Sequence, residues 1–498
     1  MDNGSHSEAA LKPNALGMRH VGAMAMAWMG LAIATYFVIP FMEQAAGPIT
    51  PLIFLLLIVA VLPTAVSYAV MSNRRPSAGS AYTWLWEATH PWLGLWLGWL
   101  VFTLYGIIGV ILQPLIGGQT FNSILSLVGI GTGYGTAVIG GFVTVAVVMA
   151  VSLSGVKRST RNVLIFLTIE VVFVLLFSLY LVIHQGVNGH LSTDPLNPSK
   201  GLGGLSGLKV AILFGVFSIA GFDIVATVAE EAESPKSLIP KATIWVTILA
   251  GLFWAFTGYA LAVAAPVAQM DHYLNAASQN GAVYLLAAHY IHGFKILVIF
   301  TAATAIIAIM GSVMLGGARM LYALAREGYA PRRFGVLDRN QTPRNALLAM
   351  FTLAAFGPVL MGLWQGHSAG NAYSWLGQVF VFFVIVPYIF VNVANIAYHL
   401  RYKREEFNIW LNGVIPVVGI VVDVWILYEA FFKAFLGQPF KVAGGGSSIV
   451  WISLIWAAIG AVWATFALNR TRDRRRAPLF ELDSDAAAVS AGVAPTAE

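Results

Sequence analysis

The chain has 498 residues, of which 58% are hydrophobic and only 10% are charged. A soluble domain carries about 25% charged residues, so this composition excludes a water-soluble globular protein and indicates a polytopic membrane protein. The formal net charge is +6, and the chain has no Cys, which excludes disulfide bonds and thiol chemistry.

Residues 1–19 are polar and lack the basic and short apolar regions of a cleaved signal peptide, so the first apolar run is expected to be a true span. A membrane-spanning helix needs about 20 apolar residues. Twelve stretches meet this requirement, at about residues 20–41, 50–72, 92–117, 134–155, 162–184, 208–229, 242–266, 294–317, 345–364, 372–399, 412–435 and 448–468. They are predicted to be helices, because a backbone in lipid must form its hydrogen bonds internally.

The distribution of basic residues predicts the orientation. If both termini are cytoplasmic, most of the 28 Lys and Arg residues fall in cytoplasmic segments. The external segments then hold only Lys200, Lys209, Lys295, Lys433 and Lys441. This bias follows the positive-inside rule, so it explains the positive charge without a nucleic-acid partner.

Two spans contain irregularities. The first span includes "WMGLAIATYFVIP", in which Gly30, Thr35 and Pro40 interrupt an apolar run. The sixth includes "SIAGFD", in which Gly221 is followed closely by Asp223. A carboxylate is costly inside a span, but it is tolerated if the helix is interrupted there and the carboxylate caps free N–H groups of the second half-helix. We therefore expect Asp223 to hold the break without binding substrate.

Spans 1 and 6 occupy matching positions if spans 1–5 and 6–10 are two repeats. Paired interruptions at matching positions indicate the binding site of a transporter near the middle of the bilayer. Irregular backbone is tolerated at that depth where it lines a cavity.

The chain resembles the amino acid–polyamine–organocation (APC) transporters from about residue 15 to residue 468. The resemblance is carried by "GFDIVATVAEEAESPKSLIPKA", "RPSAGSAYTW", "GVKRSTRN" and "GARMLYALAREGYAPRRFGVLDRNQTPRNAL". It implies an all-α membrane protein with twelve helices and a five-plus-five inverted repeat, in which helices 1 and 6 are broken at the centre. It also implies alternating access and a substrate with a primary amine.

We expect four regions. They are a cytoplasmic tail at 1–19, a ten-helix transport core at 20–400, helices 11 and 12 at 401–470, and a cytoplasmic tail at 471–498 whose small, polar composition predicts disorder. No enzymatic activity, metal or cofactor is expected. The localisation expected is a plasma membrane, typically a bacterial inner membrane.

In the family, a Gly-(Ser/Ala)-Gly-Ile-Phe turn in helix 1 holds the substrate carboxylate through its N–H groups. The aligned substrate-binding positions here include Ile33, Ala34, Thr35 and Tyr36, so both glycines are missing. Because β-branched residues form a tight cradle less readily than Gly, an amine without an α-carboxylate is one alternative substrate.

In helix 6, the family binds the substrate ammonium through carbonyls before the Gly-Phe-Asp sequence. This implies a binding segment at Phe217, Ser218, Ile219, Ala220 and Gly221. The negative end of a half-helix dipole suits a cation.

Several ionisable residues lie in or beside the spans. Glu170 stands where many relatives have a Lys linked to proton coupling. Burial disfavours the charged form of a carboxylate, so Glu170 is either the coupling proton site or a permanently protonated structural group. Asp423 and Glu429 are expected to make packing or oligomer contacts. Glu230, Glu231 and Glu233 are expected to form a solvated cluster that pairs with Arg75 or Arg158.

These features predict a proton-coupled importer of an amino acid or amine, embedded in a lipid bilayer. An amino acid/amine exchanger and a polyamine- or amine-specific importer remain alternatives. A membrane enzyme is disfavoured because the chain has no Cys, HExxH or GxSxG. A channel is disfavoured because the paired breaks lie in a single chain.

Overall fold

The structure is a computed structural model that describes residues 16–152, 156–265, 282–291, 293–338, 342–441 and 445–471. Most of both predicted tails, residues 1–15 and 472–498, lies outside the described residues. The described part is helical, with two isolated β-bridges and no β-strand.

Eleven helical segments of the described residues are long and apolar enough to cross a membrane. The sequence predicted twelve. The difference arises at the first segment, Met18–Arg74, whose 57 residues contain the first two predicted spans. A single crossing needs about 20 residues. The segment turns at Gly47–Ile49, where Gly47 has φ 74°.

The first half of the described chain forms ten helices, because long apolar runs satisfy their backbone polar groups internally. They are α1 (Met18–Met29), α2 (Leu31–Ile33), α3 (Ile39–Ala46), α4 (Thr50–Arg74), α5 (Ala81–Ala88), α6 (Pro91–Phe102), α7 (Val110–Leu127), α8 (Tyr134–Ser152), α9 (Val156–Val187) and α10 (Gly204–Ile219). Two π-helical stretches connect α2 to α3 and α6 to α7. They are Ala34–Val38 and Thr103–Gly109.

A 3-10 helix, Phe222–Glu231, follows α10 after a break. The remaining helices are α11 (Pro235–Ala264), α12 (Ala282–Tyr290), α13 (Phe294–Arg326), α14 (Arg344–Trp364), α15 (Ala369–Tyr402), α16 (Ile415–Ile426), α17 (Lys433–Leu436) and α18 (Ser448–Thr471). Two further π-helical stretches, Ile409–Val414 and Leu427–Phe432, flank α16. Helix α12 was not predicted, since it is shorter than a membrane span.

Burial separates central from peripheral helices. The most apolar windows of Pro91–Leu127, Gly204–Glu231 and Ala369–Tyr402 are each 78% buried. The corresponding windows of Ile409–Leu436 and Ser448–Arg470 are only 29% and 33% buried. The last two segments therefore lie at the periphery, and the broken helix Gly204–Glu231 lies in the interior.

Candidate functional site

The first helix is interrupted at Gly30. Gly30 adopts a left-handed conformation with φ 65° and ψ 56°, which glycine reaches without a steric penalty. Its N–H donates to the carbonyl of Ala27, and the N–H of Ala34 donates to the carbonyl of Gly30. The chain is therefore helical again immediately after one glycine.

This position differs from the one expected from the family resemblance. Ile33 ends α2, and Ala34, Thr35 and Tyr36 belong to the π-helical stretch. The Thr35 hydroxyl donates to the carbonyl of Leu31 at 2.9 Å. The Tyr36 hydroxyl lies 2.7 Å from the Thr301 hydroxyl on α13. The interruption precedes the expected turn because Gly30 is the residue that can adopt the left-handed conformation.

The second interruption lies where the sequence predicted it. Helix α10 ends at Ile219, Ala220 is extended, and Gly221 has φ 126°. The 3-10 helix then starts at Phe222. The last carbonyls of α10, Phe217 to Ile219, therefore lack the partner that a continuing α-helix would supply, and they carry the negative end of the half-helix dipole.

The two interruptions are in contact. The indole ring of Trp28, two residues before Gly30, packs on Gly221, and a methyl group added to Gly221 would overlap that ring. Trp28 also lies 5.3 Å from Tyr105, measured between ring centroids. The residues beside the breaks thus form one packed unit.

Asp223 is buried just after the second break. Its carboxylate accepts a hydrogen bond from the Tyr105 hydroxyl and another from the Tyr388 hydroxyl, the latter at 3.1 Å. The side-chain donors to Asp223 thus come from distant parts of the chain, so the carboxylate ties the half-helix to its neighbours.

A cavity of about 450 Å³, including the space at its mouth, lies beside the two interruptions. Four aromatic residues line it: Trp28, Phe217, Tyr373 and Phe380. The ring centroids of Phe217 and Phe380 are 5.1 Å apart, and those of Phe217 and Tyr373 are 6.2 Å apart. No Asp, Glu, Lys, Arg or His is among the described residues that line this cavity.

Five predicted site residues line the cavity. They are Ile33, Ala34, Phe217, Ser218 and Ala220. The other four predicted residues, Thr35, Tyr36, Ile219 and Gly221, are not among its lining residues. The structure thus brings part of both predicted segments to one cavity, and it adds aromatic walls that the sequence analysis did not assign.

Gln113 is a lining residue that sequence reasoning missed. It lies on α7, is 8% exposed, and its Oε1 has no hydrogen-bond partner among the described residues. A buried acceptor without a partner costs about 1–3 kcal/mol. The only sequence signal for Gln113 was its polarity within an apolar span. Polarity alone does not indicate whether the side chain faces the cavity.

Glu170 lies on α9, which packs against α1, α11 and α13. Its side chain is fully buried, and neither carboxylate oxygen has a hydrogen-bond partner within the described residues. Helix α9 also contacts α2, the helix that follows the break at Gly30. Glu170 therefore lies next to the first broken helix, but it does not line the cavity.

The acidic cluster after the second break differs from the prediction. Glu231 is 1% exposed, and Arg319 on α13 donates to both of its oxygens, at 2.7 and 2.9 Å. Glu230 pairs with Arg326 at 3.1 Å. The prediction of a solvated cluster is wrong for Glu231, because the half-helix carries this residue into the interior.

The predicted basic partners also differ. Arg75 pairs with Glu87 at 2.9 Å, and the side chain of Arg158 lies outside the described residues. Leu16 closes the same end of the bundle, since its N–H and carbonyl bond to the backbone of Glu231 and Glu233 at 3.0 Å each. An ion pair and a backbone bridge thus fix the end of the 3-10 helix.

Comparison with known proteins identifies relatives across most of the chain. The family model described as amino acid permease matches residues 20–477. The branched-chain amino acid permease BcaP of Lactococcus lactis subsp. cremoris is 26% identical over 410 residues, which cover 77% of this chain and 83% of that protein.

Two further relatives differ in their named substrates. The low-affinity putrescine importer PlaP of Escherichia coli K12 is 23% identical over 430 residues, covering 83% of this chain and 84% of that protein. The methylthioribose transporter of Bacillus subtilis is 22% identical over 440 residues, covering 84% of this chain and 85% of that protein.

Proposed function

We propose that this chain, which belongs to the amino acid permease family, imports its substrate by alternating access and couples import to protons. Membership of the family and the relatives named above make it a membrane transporter for amino acids or amines, and not an enzyme. What we propose in addition is the coupling to protons, the direction of transport and the identity of the binding residues.

The observation that carries the proposal is the contact between the two interrupted helices beside the aromatic cavity. The carbonyls at the end of α10 offer partial negative charge to an ammonium group. Aromatic faces such as that of Phe217 also attract cations. An ammonium group bound between the breaks would thus have polar backbone on one side and aromatic rings on the other. The predicted binding segments, Ile33–Tyr36 and Phe217–Gly221, contribute five residues to the lining of this cavity.

We further propose twelve spans. The turn at Gly47–Ile49 divides Met18–Arg74 into two crossings, which raises the eleven apolar segments to twelve. Spans 1–5 and 6–10 then form the two inverted repeats, and both termini face the cytoplasm of a bacterial inner membrane. The buried Glu231–Arg319 pair would close the cytoplasmic side.

Glu170 is proposed to carry the coupling proton. A fully buried carboxylate with no partner among the described residues is costly when ionised, so it favours a proton. Its position beside the first broken helix would let a change in its charge act on the substrate site. An exchanger that swaps an amino acid for its amine would not need this step.

The substrate class is proposed from the helix 1 backbone. The N–H of Ala34 donates to the carbonyl of Gly30, whereas the first N–H groups of α2, up to Ile33, have no partner within the helix. These N–H groups would suit a substrate carboxylate, whereas the missing glycines of the family turn favour an amine. The relatives named for a branched-chain amino acid and for putrescine keep both classes open.

The test is uptake into proteoliposomes under an inward proton gradient, with the variant Glu170→Gln. We expect wild-type protein to accumulate substrate and the variant to equilibrate it without accumulation, while substrate binding is retained. Glu429→Gln is the matched control, because Glu429 is paired with Lys209 and Lys433. Unchanged accumulation in Glu170→Gln would contradict the role of Glu170, and saturable counterflow without any proton dependence would favour the exchanger.

A further inference from the structure

Asp423 is a further buried carboxylate, and the function proposed above does not use it. It lies on α16, which packs against α4 and α15, and it is 1% exposed. Its Oδ2 accepts from the Thr64 hydroxyl at 2.8 Å and from the Asn392 amide nitrogen at 3.2 Å. Asp423 forms no ion pair within the described residues, so its charge has no cationic partner there.

The polar atoms around Asp423 include more acceptors than donors. The Asn392 amide nitrogen has two hydrogens but faces three oxygens: Thr64 Oγ1 at 2.8 Å, the Tyr388 carbonyl at 3.1 Å and Asp423 Oδ2 at 3.2 Å. The other amide atom, Asn392 Oδ1, is buried and has no partner in the described part of the chain. The cluster therefore lacks both a donor and a positive charge.

A proton bound to Asp423 would supply both the missing hydrogen-bond donor and the missing positive charge. Protonation removes the negative charge of Asp423, whose burial within a span is expensive, and it turns one carboxylate oxygen into a donor. A sodium ion would need space between the oxygens, which the Asn392 amide nitrogen already occupies. We propose that Asp423 is a proton-binding site, distinct from Glu170, between α4, α15 and α16.

Hydrogen bonds connect this site to the second helix break. Asn392 donates to the carbonyl of Tyr388 one turn earlier on α15, and the Tyr388 hydroxyl donates to Asp223 at 3.1 Å. The Tyr68 ring on α4 packs edge-on against the Tyr388 ring and the Phe222 ring, with centroids 5.7 and 5.6 Å apart. A proton at Asp423 therefore acts on the residues that hold the 3-10 helix in place. This coupling to transport rests on the proposed function, whereas proton binding itself does not.

The other ionisable groups on the surrounding elements are accounted for. Glu429, six residues after Asp423, pairs with Lys209 and Lys433. Arg74, at the end of α4, pairs with Glu406. The remaining titratable or charged groups on these helices are Tyr68, Tyr373, Tyr388, Tyr398, His399, Arg401 and Tyr402. His399 lies farther along α15, where its Nδ1 contacts the carbonyl of Asn395 at 2.9 Å.

The direct test is pH-difference infrared spectroscopy of the purified full-length protein. A protonated carboxylic acid has a carbonyl stretching band that disappears on ionisation. We expect Asp423→Asn to lose one component of this titrating band and Glu429→Gln to keep it. Identical spectra for wild type and Asp423→Asn would overturn the proposal. If this component of the band instead changes with sodium concentration at constant pH, the site binds sodium and not a proton.

Thr64→Val is a second variant in case Asp423→Asn does not fold. It removes one donor to the ionised carboxylate while keeping the side-chain size, so the same component should persist to higher pH. An unchanged titration of that component would contradict the assignment to Asp423.

Transport tests the link to the helix break separately. In proteoliposomes, Asp423→Asn should lose accumulation under a proton gradient but keep substrate exchange at equal pH on both sides. Loss of the infrared component with full accumulation would refute the link and leave proton binding intact. If wild-type protein shows no transport, the proposed function fails, but the infrared result still decides whether Asp423 binds a proton.

Discussion

The indole ring of Trp28 packs on Gly221, so a side chain beside the first helix break occupies the space that a side chain at the second break would need. This contact joins residues 193 positions apart in the chain, counted from their numbers. Any rearrangement at one break must therefore involve the other, which gives a physical reason for the two half-helices to move together.

Gly221→Ala should impair both stability and transport. Gly221 has φ 126°, and an added methyl group would overlap the Trp28 ring. Strained backbone and overpacking each cost about 1–3 kcal/mol. Thermal unfolding in detergent and uptake would measure the effect. The control is Gly189→Ala, since Gly189 has φ 71° but no atom within 4 Å of the added methyl group. Equal losses in both variants would mean that the Trp28 contact is unimportant.

Glu231→Gln should strongly destabilise the protein. It removes the charge that Arg319 contacts through two nitrogens in a buried position, and breaking a buried pair costs about 3–5 kcal/mol. Glu230→Gln is the matched control, because the Glu230–Arg326 pair is partly exposed and such pairs contribute about 0–1 kcal/mol. Comparable unfolding temperatures for the two variants would show that the Glu231–Arg319 pair stabilises the protein no more than the partly exposed Glu230–Arg326 pair.

Phe217→Leu should weaken substrate binding. Leu retains apolar contact, but it lacks the aromatic face that attracts an ammonium group. A cation–π contact contributes about 0.5–2 kcal/mol, so the dissociation constant should rise roughly 2- to 30-fold. Titration calorimetry would measure the dissociation constant of each variant. Phe41→Leu is the control, because Phe41 stacks on Phe214 and does not line the cavity. An unchanged affinity in Phe217→Leu would place the ammonium elsewhere.

Substrates with one positive charge should bind better than those with two. The described lining of the cavity contains no carboxylate to pair with a second ammonium group, and an unpaired buried charge is costly. A monoamine should therefore bind at least about tenfold more tightly than the diamine of the same chain length, a difference of about 1.4 kcal/mol. Competition against a labelled substrate would measure this ratio. Tighter binding of the diamine would require an acidic group that the cavity acquires in another conformation.

The second helix break was predictable from sequence, but its environment was not. A glycine and a carboxylate close together inside an apolar run make a continuous helix costly, so "SIAGFD" predicted the interruption at Gly221. The side-chain donors to Asp223 are Tyr105 and Tyr388, which are far away in the chain. Local sequence carries no signal for such distant partners, so it predicted only a role for Asp223 in capping backbone N–H groups.

The first break shows a different limit. The family pattern predicted the substrate-binding turn at Ile33–Tyr36, whereas the residue with a left-handed backbone conformation is Gly30. Side-chain direction was equally hard to foresee for Glu231 and Gln113, because the orientation of a polar residue in an apolar segment depends on how the helices pack. The aromatic walls of the cavity come from three separate helices, so no local motif identifies them.

Ligand-induced stabilisation of the purified protein tests the central claim most directly, since a ligand that binds only the folded state raises its stability by about 2.7 kcal/mol at 100 times the dissociation constant. The screen pairs amino acids and amines with their N-acetylated forms, which lack the positive charge. We predict that at least one free amine or amino acid raises the unfolding temperature, that its N-acetylated form does not, and that Ala34→Phe, which fills the cavity, abolishes the effect. Equal stabilisation by the N-acetylated form, or stabilisation that persists in Ala34→Phe, would contradict an ammonium site between the two breaks.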